Sequence, residues 1–112
     1  MRDLNITPPP WVADIRGGCL AVYPENRARD TPGVSRDHDR NVHYSGAGAE
    51  YNGMHWTMSA EARANAHLIA AAPDLYAALA DMLMIDGSSG KQITEALRAA
   101  QAAMAKARGE TQ

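Results

Sequence analysis

The chain has 112 residues, a formal net charge of −2 and a pI of about 6.0. That length suits one domain, 1–112, and the near-neutral charge excludes a protein held on long nucleic acid by bulk electrostatics. Apolar residues are 46% and charged residues 21%, which excludes wholesale disorder. A single cysteine, Cys19, excludes an internal disulfide framework and a multi-cysteine zinc site. No apolar stretch approaches the ~20 residues of a membrane span, and the start MRDLNITPPPW has no apolar signal core. The expectation is a soluble intracellular protein with no membrane partner.

Composition changes near Ser59. Residues 1–58 hold 5 of the 22 alanines and five of the six prolines, and residues 59–112 hold the other 17 alanines. Alanine favours helix, whereas proline and glycine interrupt both helices and strands. The reading is a strand-and-loop half (1–58), a helical half (59–108) and a short tail (109–112).

In chain order, Thr7-Pro8-Pro9-Pro10 is an extended lead-in without backbone donors. Trp11-Val12-Ala13-Asp14-Ile15 alternates, with Trp11, Ala13 and Ile15 on one face and Asp14 on the other. Gly17-Gly18 and then Cys19-Leu20-Ala21-Val22-Tyr23 complete a predicted β-hairpin. Residues 24–41 carry four arginines, four acids and almost no apolar side chain, which makes a long polar loop. A third strand is predicted at 41–45. Turns are predicted at Gly46-Ala47-Gly48 and Asn52-Gly53, with a fourth strand at Met54-His55-Trp56-Thr57.

Ser59 is the predicted N-cap of a helix over 60–72, with Glu61 near its positive end. Pro73 is read as the first residue of a second helix over 73–85. Its apolar face is Leu75, Leu79, Met82 and Leu83. Ser89 and Gln92 have capping-box spacing for a third helix over 90–108, whose buried stripe is expected to be Ile93, Leu97, Ala100 and Met104. Gly109 is its predicted stop. The predicted fold class is α+β: a small N-terminal antiparallel sheet followed by two to three C-terminal helices.

Candidate chemistry is sparse. Asp37-His38-Asp39 with His43 and His55 fits no metal-ligand spacing, and no cofactor is expected. The chain lacks a P-loop, a Gly-x-Ser-x-Gly and a GxGxxG, and Cys19 sits in a predicted strand as a buried thiol, so an enzyme is not expected. The arginine-bearing loop with its aromatic neighbours is the candidate ligand-binding site. Arg36 and Arg40 are the phosphate partners, and Tyr44 or Trp56 the stacking faces, with His43 beside them. The competing reading is a solvated loop with internal Arg–Asp pairs worth about 0–1 kcal/mol each, with Trp11 and Trp56 covering the sheet against the helices.

The segment Ala64-Asn65-Ala66-His67-Leu68-Ile69-Ala70-Ala71-Ala72-Pro73-Asp74-Leu75-Tyr76-Ala77-Ala78-Leu79 resembles one common in small phage and prophage proteins, roughly NARLIAAAPDLLEAL. Thr7-Pro8-Pro9-Pro10-Trp11 is similar to their TPGPW-like start. Pro9 replaces the usual Gly, His67 the usual Arg and Tyr76 the usual Leu. The resemblance implies a phage accessory protein working in the host bacterial cytoplasm. Such proteins often neutralise host immunity by stoichiometric binding. The layout resembles that of Thoeris anti-defence sponges, which implies a cyclic nucleotide as ligand. The alternatives are an inhibitor of a host defence protein, like many anti-CRISPR proteins, and a minor structural or assembly protein. A homo-oligomer is expected, because a short chain without phenylalanine gains by sharing surface.

Overall fold

A computed structural model describes residues 5–25, 41–85 and 90–110. The predicted loop is therefore largely outside the described residues, as are Ser89 and the predicted site arginines Arg36 and Arg40. The fold is α+β: strands β1 (Trp11–Arg16), β2 (Cys19–Pro24), β3 (His43–Ser45), β4 (Ala49–Tyr51) and β5 (Trp56–Met58) precede helices α1 (Ala60–Leu83) and α2 (Gly90–Ala107).

Strands β1, β2 and β3 form an antiparallel sheet in that order, and β4 pairs with β5 in a second, two-stranded sheet. The predicted hairpin is present in register, Arg16 opposite Cys19 and Trp11 opposite Pro24. Only the first of its two turn glycines has a positive φ, +53° at Gly17, which is the II′ pattern. The lead-in enters β1 through a cis Pro9–Pro10 bond, and the Trp11 indole Nε1 donates to the Thr7 carbonyl at 3.0 Å.

The central strand β2 is buried over Leu20–Pro24. Direct cross-strand partners share a face, so Ala13, Ile15, Leu20, Val22, His43 and Ser45 lie on one side of the sheet. That side packs on α1: Leu20, Met58 and Ala66 form the core cluster, with Ala13, Ile15, Ala49 and Ala62 against it. The alternation predicted for 11–15 is thus the one observed.

Two helical expectations are corrected. First, there is no break at Pro73: α1 runs as one 24-residue helix with the proline inside it. A proline at a first helical turn and one in a helix interior look alike in sequence. Here the Pro73 ring is buried, and packing offsets the hydrogen bond that the Ile69 carbonyl cannot receive from residue 73. Second, the predicted buried stripes face outward. Leu79, Leu83, Ile93, Leu97 and Met104 are exposed, and Ala66, Ala70, Ala71, Ala78, Ala96 and Ala103 are buried instead. Small side chains let the helix backbones approach closely, so the alanine faces form the contact.

A strand was also missed. Ala49–Tyr51 has no recognisable strand pattern, yet it pairs with Trp56–Met58, shifted from the predicted 54–57. Gly48 makes this possible. Its φ is +91°, and a Cβ there would lie 2.8 Å from Ala62 Cβ, so only glycine lets the β3–β4 turn touch the start of α1. Its carbonyl accepts from Ser59 N at 2.8 Å, and the Ser59 hydroxyl caps α1 by accepting from Ala62 N at 3.1 Å.

The helices run antiparallel. Met84 O accepts from Gln92 Nε2 at one end (3.3 Å), and Lys106 pairs with Asp74 at 2.8 Å further along. Helix α2 ends in a Schellman motif, with Glu110 N on Ala105 O (3.0 Å) and Gly109 N on Lys106 O (2.9 Å). Gly109 has φ +78° and lies so close to the His67 ring that a Cβ would sit 2.7 Å from Cδ2.

Candidate functional site

The three described members of the predicted site lie on three different surfaces. His43 and Tyr44 are consecutive in β3, and consecutive strand residues point to opposite faces. His43 faces α1. With Ser45, Leu20, Asn65, Ala66 and Leu68 it lines a cleft of about 380 Å³ between the sheet and the helix. The cleft has no described lysine or arginine in its wall.

Tyr44 lies on the outer face of the sheet, opposite Ala21 and in line with Asp14. That face carries a polar cluster. The Tyr23 hydroxyl donates to Asp14 Oδ2, and Arg16 Nε donates to Asp14 Oδ1 at 2.9 Å. Arg16 is thus the described arginine that shares a face with Tyr44. It was not among the predicted site residues, although the same period-two alternation that isolates Asp14 also places Arg16 beside it.

Trp56 lies on the second sheet. It is directly opposite Tyr51, with ring centroids 5.3 Å apart and planes at 49°. It is 54% exposed, so it does not cover the sheet against the helices as the competing reading had it. The turn beside it is held by one side chain: Asn52 Oδ1 accepts from Met54 N at 2.9 Å and His55 N at 3.0 Å. Asn52 N in turn donates to His55 O at 3.2 Å. This Asx turn fixes the tip and leaves Met54 85% exposed there. Tyr51 and Met54 were not predicted as site residues, and the pairing that unites them with Trp56 depends on the unrecognised strand β4.

Among the described residues, no group of three or more His, Cys, Asp or Glu side chains is placed to hold a metal ion. Cys19 is a free thiol, partly exposed, with Sγ 3.5 Å from the Arg16 carbonyl, rather than buried as its strand position suggested. No described helix is long and apolar enough to cross a membrane.

A family model described as Salmonella phage P22 protein Y8K6 matches residues 1–111. The chain belongs to that family. Its phage origin is thereby established on nearly the full length, including the middle that the resemblance above did not cover. No curated protein and no solved structure matches the chain. Among the described residues, those that stand out as surface chemistry are the Tyr51–Met54–Trp56 tip and, on the outer face of the first sheet, Arg16 and Tyr44.

Proposed function

We propose that this phage protein acts in the host cytoplasm by stoichiometric binding, without catalysis, and that it docks on a host defence protein through the β4–β5 hairpin. The observation that carries the reading is the exposed Tyr51–Trp56 pair with Met54, on a turn locked by Asn52. Tryptophan, tyrosine and methionine are enriched at protein interfaces, and a few such anchors supply most of the binding energy. A fixed turn lowers the ordering cost of binding.

The cyclic nucleotide reading draws on His43, Tyr44 and Trp56 with Arg36 and Arg40. The cleft beside His43 supports it, since about 380 Å³ falls within the usual range for small-molecule sites. Against it, His43, Tyr44 and Trp56 do not converge, and Arg36 and Arg40 lie outside the described residues.

The experiment separates the two. The protein is used to capture partners from lysates of defence-positive hosts, and any partner is purified and titrated calorimetrically. In parallel, cyclic di- and trinucleotides and cyclic ADP-ribose isomers are titrated. A protein partner whose affinity falls at least ~30-fold with Trp56→Ala, and is unchanged by Arg40→Ala, is the expected result. Nucleotide binding at tens of micromolar that Arg40→Ala abolishes overturns it in favour of sequestration.

A further inference from the structure

Each helix has a second apolar face that the described residues leave uncovered. On α1 it comprises Ala72, Leu75, Tyr76, Leu79 and Leu83, at helical spacings of three and four. On α2 it is Ile93, Leu97, Ala100 and Met104. Leu79 is 62% exposed and Leu97 49%.

The two stripes lie on one side of the molecule. On each helix the exposed stripe is turned by about 100° from the alanine stripe that meets the other helix, in the direction of rising residue number. In an antiparallel pair, equal rotations of that sense bring both stripes to the same side. The sheet packs on the other side, through Ala62 and Ala66. The outer face of the helical layer is therefore a continuous apolar surface about three turns long.

Among the described residues, no charged side chain interrupts it. The acids of α1 within this span, Asp74 and Asp81, lie toward α2, where both border the groove that Ala103 and Lys106 line from the other side. Glu95 and Arg98 lie on the far side of α2 from its stripe, by helical spacing.

We infer that this face is the interface of a symmetric homodimer. The exposed parts of its large side chains amount to about 650 Å², close to what one partner contributes to a stable interface, and more than the ~300–600 Å² of the largest patch on a typical monomer. A two-fold axis sets each residue near its own copy or its neighbours, so like charges would meet. A face with none suits a second copy of itself. The internal core supplies the remaining reason. Among the described residues, the largest fully buried side chains are Val22 and Pro24, and the helix leucines Leu79, Leu83 and Leu97 find little burial within one copy. Pairing the helical layers gives them a four-helix core.

The test is light scattering of the full chain across a dilution series up to about 100 µM, since a dimer's population depends on concentration. The expected mass at the upper end is twice 12.0 kDa. Leu79→Lys and Leu97→Glu should each return a 12.0 kDa monomer with unchanged helical circular dichroism, while Met54→Lys at the hairpin tip leaves the dimer intact. A wild type of 12.0 kDa throughout overturns the inference, as does a dimer that survives both helix variants or one that Met54→Lys splits. Should the charged variants unfold, a Cys19→Ser, Leu79→Cys protein supplies the readout. Its maleimide labelling should slow at least tenfold between dilute and concentrated samples, and a concentration-independent rate overturns the inference. The wild-type mass does not depend on the hairpin reading, and Trp56→Ala should leave it unchanged.

Discussion

The strand half and the helical half bury different kinds of side chain. In the sheet the large residues go inside: Leu20, Val22, Tyr23 and Pro24 on β2, with Met58 from β5. In the helices the alanines go inside and the large residues remain out. Backbone spacing accounts for the difference. A sheet and a helix leave room between them for leucine-sized side chains, whereas two helices lined by alanine close up until only a methyl group fits. The same residue type therefore has opposite standing in the two halves, and leucine is the sharpest case: Leu20 is 3% exposed and Leu79 62%.

That contrast gives the largest expected effect. Leu20→Ala should cost about 2–5 kcal/mol at any protein concentration, because it removes buried atoms and leaves a cavity in the cluster with Met58 and Ala66. Leu79→Ala should cost less than about 0.5 kcal/mol in dilute monomer, as an exposed substitution. Its cost should grow with concentration if the helical face pairs. Urea denaturation at two protein concentrations measures both. Equal costs for the two leucines would break the comparison.

A smaller effect tests the helical side. Ala103→Leu places three more carbons where α2 meets α1, and overpacking of this kind should cost about 1–3 kcal/mol. Ala102→Leu, one residue along and exposed, should stay within about 0.5 kcal/mol. If Ala103→Leu were neutral, close backbone approach would not explain the buried alanines.

The same contrast sets what could be read from the sequence. The β1–β2 hairpin was legible because period-two alternation and Gly17-Gly18 are local signals. The existence of amphipathic helices was legible too, but their orientation was not. On α2 both Ile93/Leu97/Met104 and Ala96/Ala103 are apolar stripes, and the rule that larger apolar faces go inside selects the wrong one. Strand β4 was hidden because three residues, Ala49–Tyr51, carry no period, and their pairing is made by Gly48 against α1. Pro73 misled for a different reason, since proline signals a helix start and only tertiary burial reveals an interior one. For the candidate site, His43 and Tyr44 were placed correctly on a strand, and adjacency in a strand already separates them. The separation of Trp56 from both is non-local, because it follows from two sheets where one was expected.

The smallest expected effect lies at the end of α2, where neither half has a core. Arg108 and Glu110 pair bidentately across the Schellman turn at Gly109, at 2.8 Å from Nε and 3.2 Å from Nη2. The hydrogen bond from Arg108, and then its charge, hold the Glu110 carboxyl below its usual range, and the same pairing raises Arg108 further above neutrality. A carboxylate whose folded pKa is depressed contributes stability above its unfolded value, and that contribution disappears as pH falls through the folded value. The contribution should therefore be complete at neutral pH and lost on acidification below the normal carboxylate range. Arg108 does not titrate in that window, so the change belongs to Glu110. Both side chains are more than half exposed, so water and salt screen the pair, and the effect should be confined to fraying of the last turn. Amide exchange at Gly109 and Glu110, whose N–H groups close the Schellman motif, should speed up relative to mid-helix amides as pH is lowered, after correction for intrinsic rates. Glu110→Gln should show the faster exchange already at neutral pH and no further change on acidification. A pH response that persists in Glu110→Gln would assign the titration to another group.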